Sequence, residues 1–352
     1  MMEGLWWSGN ENLLALRKDL KIPTIKTPTD VKIKVAYGGV CGSDLHFIDG
    51  VMGPLGAKSD GLILGHEFSG TVVEHGSAGK FKIGDRVCVN PNLCCGECHW
   101  NDEGLPLFCE KNPGYGCTTD GGLADYFVVD QSHVHELPEN VNLKEGALAE
   151  PLSCVLRARR RLEPLPRSKD TKILVQGAGI IGALFCALLH HNGYTNVTVT
   201  EPHEGRRKLM SGIGFNYNVI DPKELEAIVG EDISRDGFSL IFDSTGNIAA
   251  VQKAFELVRR GATICIFGCC PAGKTVAFEP LQMINKELTI VGNFANTRCM
   301  EDAVSLMGEL AGEGILDCEK LGVEIFKLDQ FNEALRTVRR GKATKAMFEV
   351  ER

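Results

Sequence analysis

Apolar residues recur along this chain in two rhythms, and the change between them near Glu145 divides it. Val31, Ile33, Val35 and Tyr37 alternate with polar residues, the period-two signature of a strand with one face buried. Short apolar runs at 68–73, 86–90 and 124–129 predict further strands, and glycines stand at almost every junction. After Glu145 helical stretches alternate with short apolar segments at 172–176, 197–200, 240–243, 262–267 and 288–291. That rhythm predicts a parallel, doubly wound α/β sheet behind a β-rich first domain. Beyond about Thr297, MEDAVSLMGELAG predicts a helix, and a last strand at 347–350 could return to the first domain. The stretches 254–260 and 334–340 both run into Arg-Arg-Gly, which predicts two helix ends with cations against the negative pole of the dipole. Arg157, Arg159, Arg160 and Arg161 read as a solvated helix face with no assigned function.

Composition narrows the class. At 352 residues the chain exceeds what one ordinary core supports, so two domains are expected. With 43% apolar and 24% charged residues, extended disorder is not expected. A net charge of -8 argues against broad attraction to nucleic acid or to an anionic membrane, both densely negative. No apolar run reaches the roughly 18 residues of a membrane helix, and the opening MMEGLWWSGNENLL does not read as a secretion signal. The fourteen cysteines are therefore expected to be mostly small buried hydrophobes in a reducing cytoplasm.

Two sets of residues carry chemistry. GVCGSDLH at 39–46 and LGHEFSG at 64–70 offer Cys41, His66 and Glu67 as sulfur, nitrogen and oxygen donors, a mixture that zinc accepts while leaving a position open. VQGAGIIG, directly after the apolar run Ile173, Leu174, Val175, is a glycine loop between a strand and a helix over 180–190. In that context Gly177 makes the tight turn, Gly179 lets backbone approach a pyrophosphate, Gly182 lets helix and strand pack, and Ile180 and Ile181 open the helix whose N-terminus faces the phosphates. Glu201 stands 19 residues after Gly182, where a carboxylate binds the adenosine ribose and repels a 2'-phosphate. NAD is thus expected over NADP, although His203, Arg206 and Arg207 could neutralise a phosphate if their loop turned inward.

With GDRV at 84–87, DGGLADY at 120–126 and AEPLSC at 149–154 in the same order, the chain resembles the zinc-containing medium-chain alcohol and polyol dehydrogenases, particularly their sorbitol and 2,3-butanediol dehydrogenase branches. The resemblance spans nearly the whole sequence. It implies a GroES-like zinc catalytic domain over 1–153 and 297–352, a Rossmann NAD-binding domain over 154–296, and an active site in the cleft between them. It implies Cys41 and His66 as zinc ligands, Glu67 as a ligating carboxylate, and Glu150 as a ligand bound directly or through water. Ser43 and His46 match the family's proton relay from the alcohol hydroxyl to solvent. The implied reaction moves a hydride from a secondary alcohol, a polyol or vicinal diol, to the nicotinamide and gives a ketone.

A second, structural zinc is open at this stage. The family's four-cysteine register falls on Cys95, Cys98, Asn101 and Cys109, so the third thiolate is missing, with Cys94 or Asp102 as substitutes. Substrate is open as well. Sorbitol dehydrogenases carry an Arg-Tyr pair where this chain reads GNFANTRC at 292–299, and Phe47 stands where they tend to have tyrosine, which predicts a less polar pocket. Some relatives bind dinucleotide without zinc as quinone reductases or lens proteins, but they lack the ligands present here, which favours an active enzyme over a non-catalytic binder. Relatives pair through the Rossmann sheet edge, and the apolar segment 281–294 permits a homodimer or homotetramer.

Overall fold

The computed structural model describes residues 1–9, 13–50, 61–92, 94–111 and 114–351. The second rhythm folds as expected. Six strands lie in the order Asn218–Ile220, Val197–Thr200, Ile173–Gln176, Phe238–Asp243, Val258–Ile266, Thr289–Gly292, and every neighbouring pair is parallel. The order reverses between Val197–Thr200 and Phe238–Asp243 on either side of Ile173–Gln176, the switch point at which a doubly wound sheet opens its ligand crevice. Strand Ile173–Gln176 is buried on both faces, and Phe185 on the following helix packs 4.3 Å from Phe242.

The first rhythm folds into a mixed sheet ordered Val323–Lys327, Lys345–Glu349, Asp30–Gly39, Glu67–His75, Arg86–Val89, Val134–Glu136, with Tyr126–Asp130 also pairing with Asp30–Gly39. The C-terminal strand does return, since Met347 pairs with Gly39. Val31, Ile33 and Val35, the alternating residues, are fully buried. An N-terminal hairpin, Met2–Ser8 against Leu13–Leu20, was not foreseen, because its second strand is charged and mostly half-exposed.

Three local expectations need correction. The helix preceding Arg259-Arg260-Gly261 stops at Leu257, and the two arginines belong to strand Val258–Ile266. Pairing of Val258 with Phe238 outweighs the cap signal, since β-branched Val258 is fully buried there. The second such stretch does end a helix, Phe331–Arg339, before Gly341 at φ +65°. Arg160 is not merely solvated: it donates to the Arg298 carbonyl at 3.0 Å and pairs with Asp302, clamping helix Ala149–Arg161 to helix Met300–Gly312. Phe47 is completely buried and rests 5.7 Å from Trp7, in the core under the mixed sheet rather than on a pocket wall. No helix among the described residues is long and apolar enough to cross a membrane.

Candidate functional site

Sheet register assembles the first cluster. Gly39 pairs with Glu67, so the end of one strand and the start of its neighbour coincide, with Cys41 leaving the first and His66 entering the second. Cys41 has extended backbone angles and caps helix Gly42–Ile48. The Cys41 sulfur, a His66 ring nitrogen and a Glu67 carboxylate oxygen all lie within 4.8 Å of one another. His66 and Glu67 are buried and Cys41 is half-buried, so one side of the cluster remains accessible.

Its surroundings hold the ligands in place. Asp44, buried at the third position of the helix, accepts the Cys41 N–H at 2.8 Å and directs its other oxygen toward His66 Nδ1 at 3.7 Å. Ser43 Oγ stands 3.5 Å from His66 Nε2, and the Cys117 sulfur 3.8 Å from Nδ1. His46 is half-buried on the same helix, three positions after Ser43 and hence on the same side. Glu150 lies outside the three-donor cluster and accepts the Cys154 thiol at 3.3 Å.

The electrostatics call for a cation. Burial raises the Asp44 and Glu150 carboxyls above their ordinary range. Burial alone would lower His66, yet the Cys117 and Cys41 sulfurs and Asp44 together lift it well above its usual value. Carboxylates and sulfurs gathered around a buried imidazole favour a cation among them, and the S, N, O donor set suits zinc. Residues and metal fit.

The second cluster is built of thiols alone. Cys94, Cys95, Cys98 and Cys109 bring their sulfurs within 4.8 Å of one another, and the Cys109 thiol reaches Cys95 Sγ at 3.3 Å. Cys94 therefore takes the corner that the register assigned to Asn101, and Asp102 does not enter. Asn101 is spent on the turn, donating to the Gly96 carbonyl at 3.0 Å. The thiols are not equivalent: the backbone at Cys95 draws Cys109 down to about 7, while desolvation pushes Cys98 up to about 11.

The glycine loop is formed as expected. Gly177 has φ +97°, open to glycine at little cost, and a Cβ on Gly182 would overlap the Gly177 carbonyl. Gly179 caps helix Ile180–His191, and half-buried Ile181 packs against the core. The Ile180 N–H donates to the Thr344 carbonyl at 3.1 Å, so the returning C-terminal segment touches the helix start. Glu201, buried at the end of its strand, accepts N–H groups from Ala178 at 3.1 Å and His203 at 3.0 Å. Arg206 donates to the carbonyls of Ala343 and Val338 at 3.0 and 2.9 Å, and Arg207 to those of Glu201 and Pro202 at 2.6 and 2.7 Å. Both guanidiniums are engaged with backbone rather than turned toward a cofactor phosphate.

Sequence reasoning missed Asp44, Cys117 and Lys345. Asp44 was legible in principle, three residues after the Cys41 cap, as half of a capping box. Nothing local marks Lys345, which reaches Glu67 only through strand pairing.

Comparison with known proteins agrees with this geometry. Residues 27–139 match the alcohol dehydrogenase GroES-like domain and residues 181–309 the zinc-binding dehydrogenase family. D-xylulose reductase A of Aspergillus oryzae is 30% identical over 342 residues, 94% of this chain and 92% of that protein. A Sinorhizobium meliloti structure described as a zinc-binding dehydrogenase bound to NADP superposes with a TM-score of 0.87 at 27% identity, covering 99% of each chain. The 2R,3R-butanediol dehydrogenase of Bacillus subtilis gives 0.84 at 26% identity over 100% of both.

Proposed function

The chain belongs to the zinc-containing medium-chain alcohol and polyol dehydrogenases and is a zinc-dependent alcohol or polyol oxidoreductase; from that premise we propose that it oxidises a small secondary alcohol, a vicinal diol or short polyol, with NAD. The observation that carries this reading is the half-accessible trio Cys41, His66 and Glu67, in a chain whose sheet switch point bears a formed glycine loop. Bound there, zinc supplies a Lewis acid for the alcohol oxygen and nicotinamide an acceptor for the carbinol hydride.

The chain's own residues do the rest. Cys41, His66 and Glu67 would hold the metal, with Glu150 outside the trio and bonded to Cys154. Asp44 accepts the Cys41 backbone N–H and sets a buried carboxylate oxygen 3.7 Å from the His66 ring. Ser43 would accept the hydroxyl proton while giving up its own, which would reach His46 and solvent by way of the nicotinamide ribose, and Ser43 and His46 lie on one side of helix Gly42–Ile48. Gly177, Gly179 and Gly182 shape the loop for the pyrophosphate, and Glu201 stands where the ribose is read. NAD is supported by that carboxylate and by the engagement of Arg206 and Arg207 with backbone carbonyls. A smaller substrate is supported by the segment 292–299, which lacks the Arg-Tyr pair of the sorbitol enzymes and whose Asn296 is 1% exposed and bonded to Asn90 and Asn92.

Cys94, Cys95, Cys98 and Cys109 would hold a second, structural zinc. A cytoplasmic homo-oligomer completes the reading: Thr289–Gly292 is an edge strand, and Leu281, Ile284 and Phe294 beside it are 56%, 78% and 61% exposed. The test is reduced-cofactor absorbance with NAD and NADP against polyols, vicinal diols and simple secondary alcohols. Turnover with NAD that is lost on zinc removal is expected; NADP preference, or activity surviving metal removal, defeats the reading.

A further inference from the structure

Lys345 is the least expected charge in the molecule. Its side chain is 1% exposed, and its ammonium pairs with a Glu67 carboxylate that is itself 2% exposed. Lysine is almost never fully buried without a partner that makes the desolvation tolerable. Here the partner is one of the three donors of the metal cluster. The placement is built into the sheet: Met347 pairs with Gly39 and Gly39 pairs with Glu67, so three adjacent strands carry Lys345, Cys41 and Glu67 to one end. A Cβ on Gly39 would overlap both the Glu67 carboxylate and the Lys345 side chain, so glycine opens the space in which they meet. The ammonium also donates to the Val40 carbonyl at 3.1 Å, which fixes its position from the backbone.

We infer that Lys345 is a positioning residue that holds Glu67 and sets how strongly this carboxylate ligates the metal. The inference rests on the reading of Cys41, His66 and Glu67 as a metal site. A carboxylate that shares its charge with an ammonium is a weaker metal donor, which leaves the metal more electrophilic toward substrate. Without the ammonium, the full charge of Glu67 turns to the metal and quenches that character. Lys345 acts through Glu67 and touches no reacting atom.

The test uses full-length protein loaded with cobalt(II), whose visible bands report the donor set, in wild type, Lys345→Met, Lys345→Arg, Glu67→Gln and the double variant Glu67→Gln/Lys345→Met. Lys345→Met is expected to shift the cobalt bands, slow metal loss to a chelator, and lower kcat by about 10- to 100-fold, the range found for partners of metal ligands, with KM little changed. Lys345→Arg is expected to restore the wild-type bands. In the Glu67→Gln background, Lys345→Met is expected to leave the bands where Glu67→Gln alone puts them. The double variant removes both buried charges, so this comparison survives if Lys345→Met alone does not fold. Native bands and an unchanged chelation rate in Lys345→Met, or an equal shift with and without Glu67, overturn the inference. Cobalt bands and metal content left unchanged by Cys41→Ser would instead defeat the metal-site reading itself, since the thiol quartet alone would then hold the ion.

Discussion

The two cysteine-bearing clusters of the GroES-like domain differ in kind. The trio Cys41, His66, Glu67 mixes three donor types, sits among carboxylates and a buried lysine, and is reached from one side. The quartet Cys94, Cys95, Cys98, Cys109 offers four like donors with no ring or carboxylate among them. An incomplete coordination set surrounded by charge favours chemistry, whereas a complete thiolate set favours rigidity. Their origins differ too. The trio is delivered by register between distant strands, and three of the quartet by one short loop that Cys109 closes. One cluster thus depends on the finished sheet, and the other tethers a lobe that has little regular structure of its own.

The largest effect should come from the trio. His66→Ala is expected to lower kcat/KM by about a thousandfold, the loss that follows when several kcal/mol of charge stabilisation disappears, and to remove one zinc per chain by elemental analysis while the fold persists by circular dichroism. Retained turnover would erase the contrast between the clusters. Within the same site, Ser43→Ala is expected to cut kcat by about a hundredfold while zinc content stays unchanged, which separates proton transfer from metal binding; an unaltered kcat would leave Ser43 a helix residue only.

The quartet should respond the other way. Cys94→Ser is expected to remove the second zinc and lower the melting temperature by about 10 °C, with kcat at low temperature near wild type. If Asp102→Asn does this and Cys94→Ser does not, the fourth corner has been misassigned. The smallest effect concerns neither cluster. Burial holds His133 and His135 below the ordinary histidine value. The unfolded chain therefore binds more protons as pH falls through about 6.5, so their contribution to stability is present above that pH and lost below it. Melting curves from pH 7 to pH 5 should show the decline, and His135→Gln should recover roughly 2 °C of it at pH 5. A steeper decline in the variant would mean that the sign is reversed.

Much of the architecture was legible because it rests on local periodicity. The glycine loop, its flanking strands and helix Met300–Gly312 follow from spacing alone, since tight turns and buried strands restrict residue type position by position. Cys41, His66 and Glu67 were legible as donor types in short motifs. The fourth thiol of the quartet was not settled by spacing, because Asn101 occupied the expected place and only the path of the loop shows Cys94 closing the set. Arg259 and Arg260 misled because a cap signal of a few tenths of a kcal/mol yields to a fully buried strand pairing.

By itself, the sequence determined which atoms are available: the donors, the glycines that permit close backbone approach, and the two rhythms that divide the chain. Tertiary structure alone decided which of those atoms meet. Strand register placed Lys345 on Glu67, while helix packing left Glu150 outside the trio and turned Arg206 and Arg207 onto backbone carbonyls. The physical reason is range. Backbone conformation responds to neighbours a few residues away, whereas the charge environment of a buried site is a sum over groups that only the folded sheet brings together.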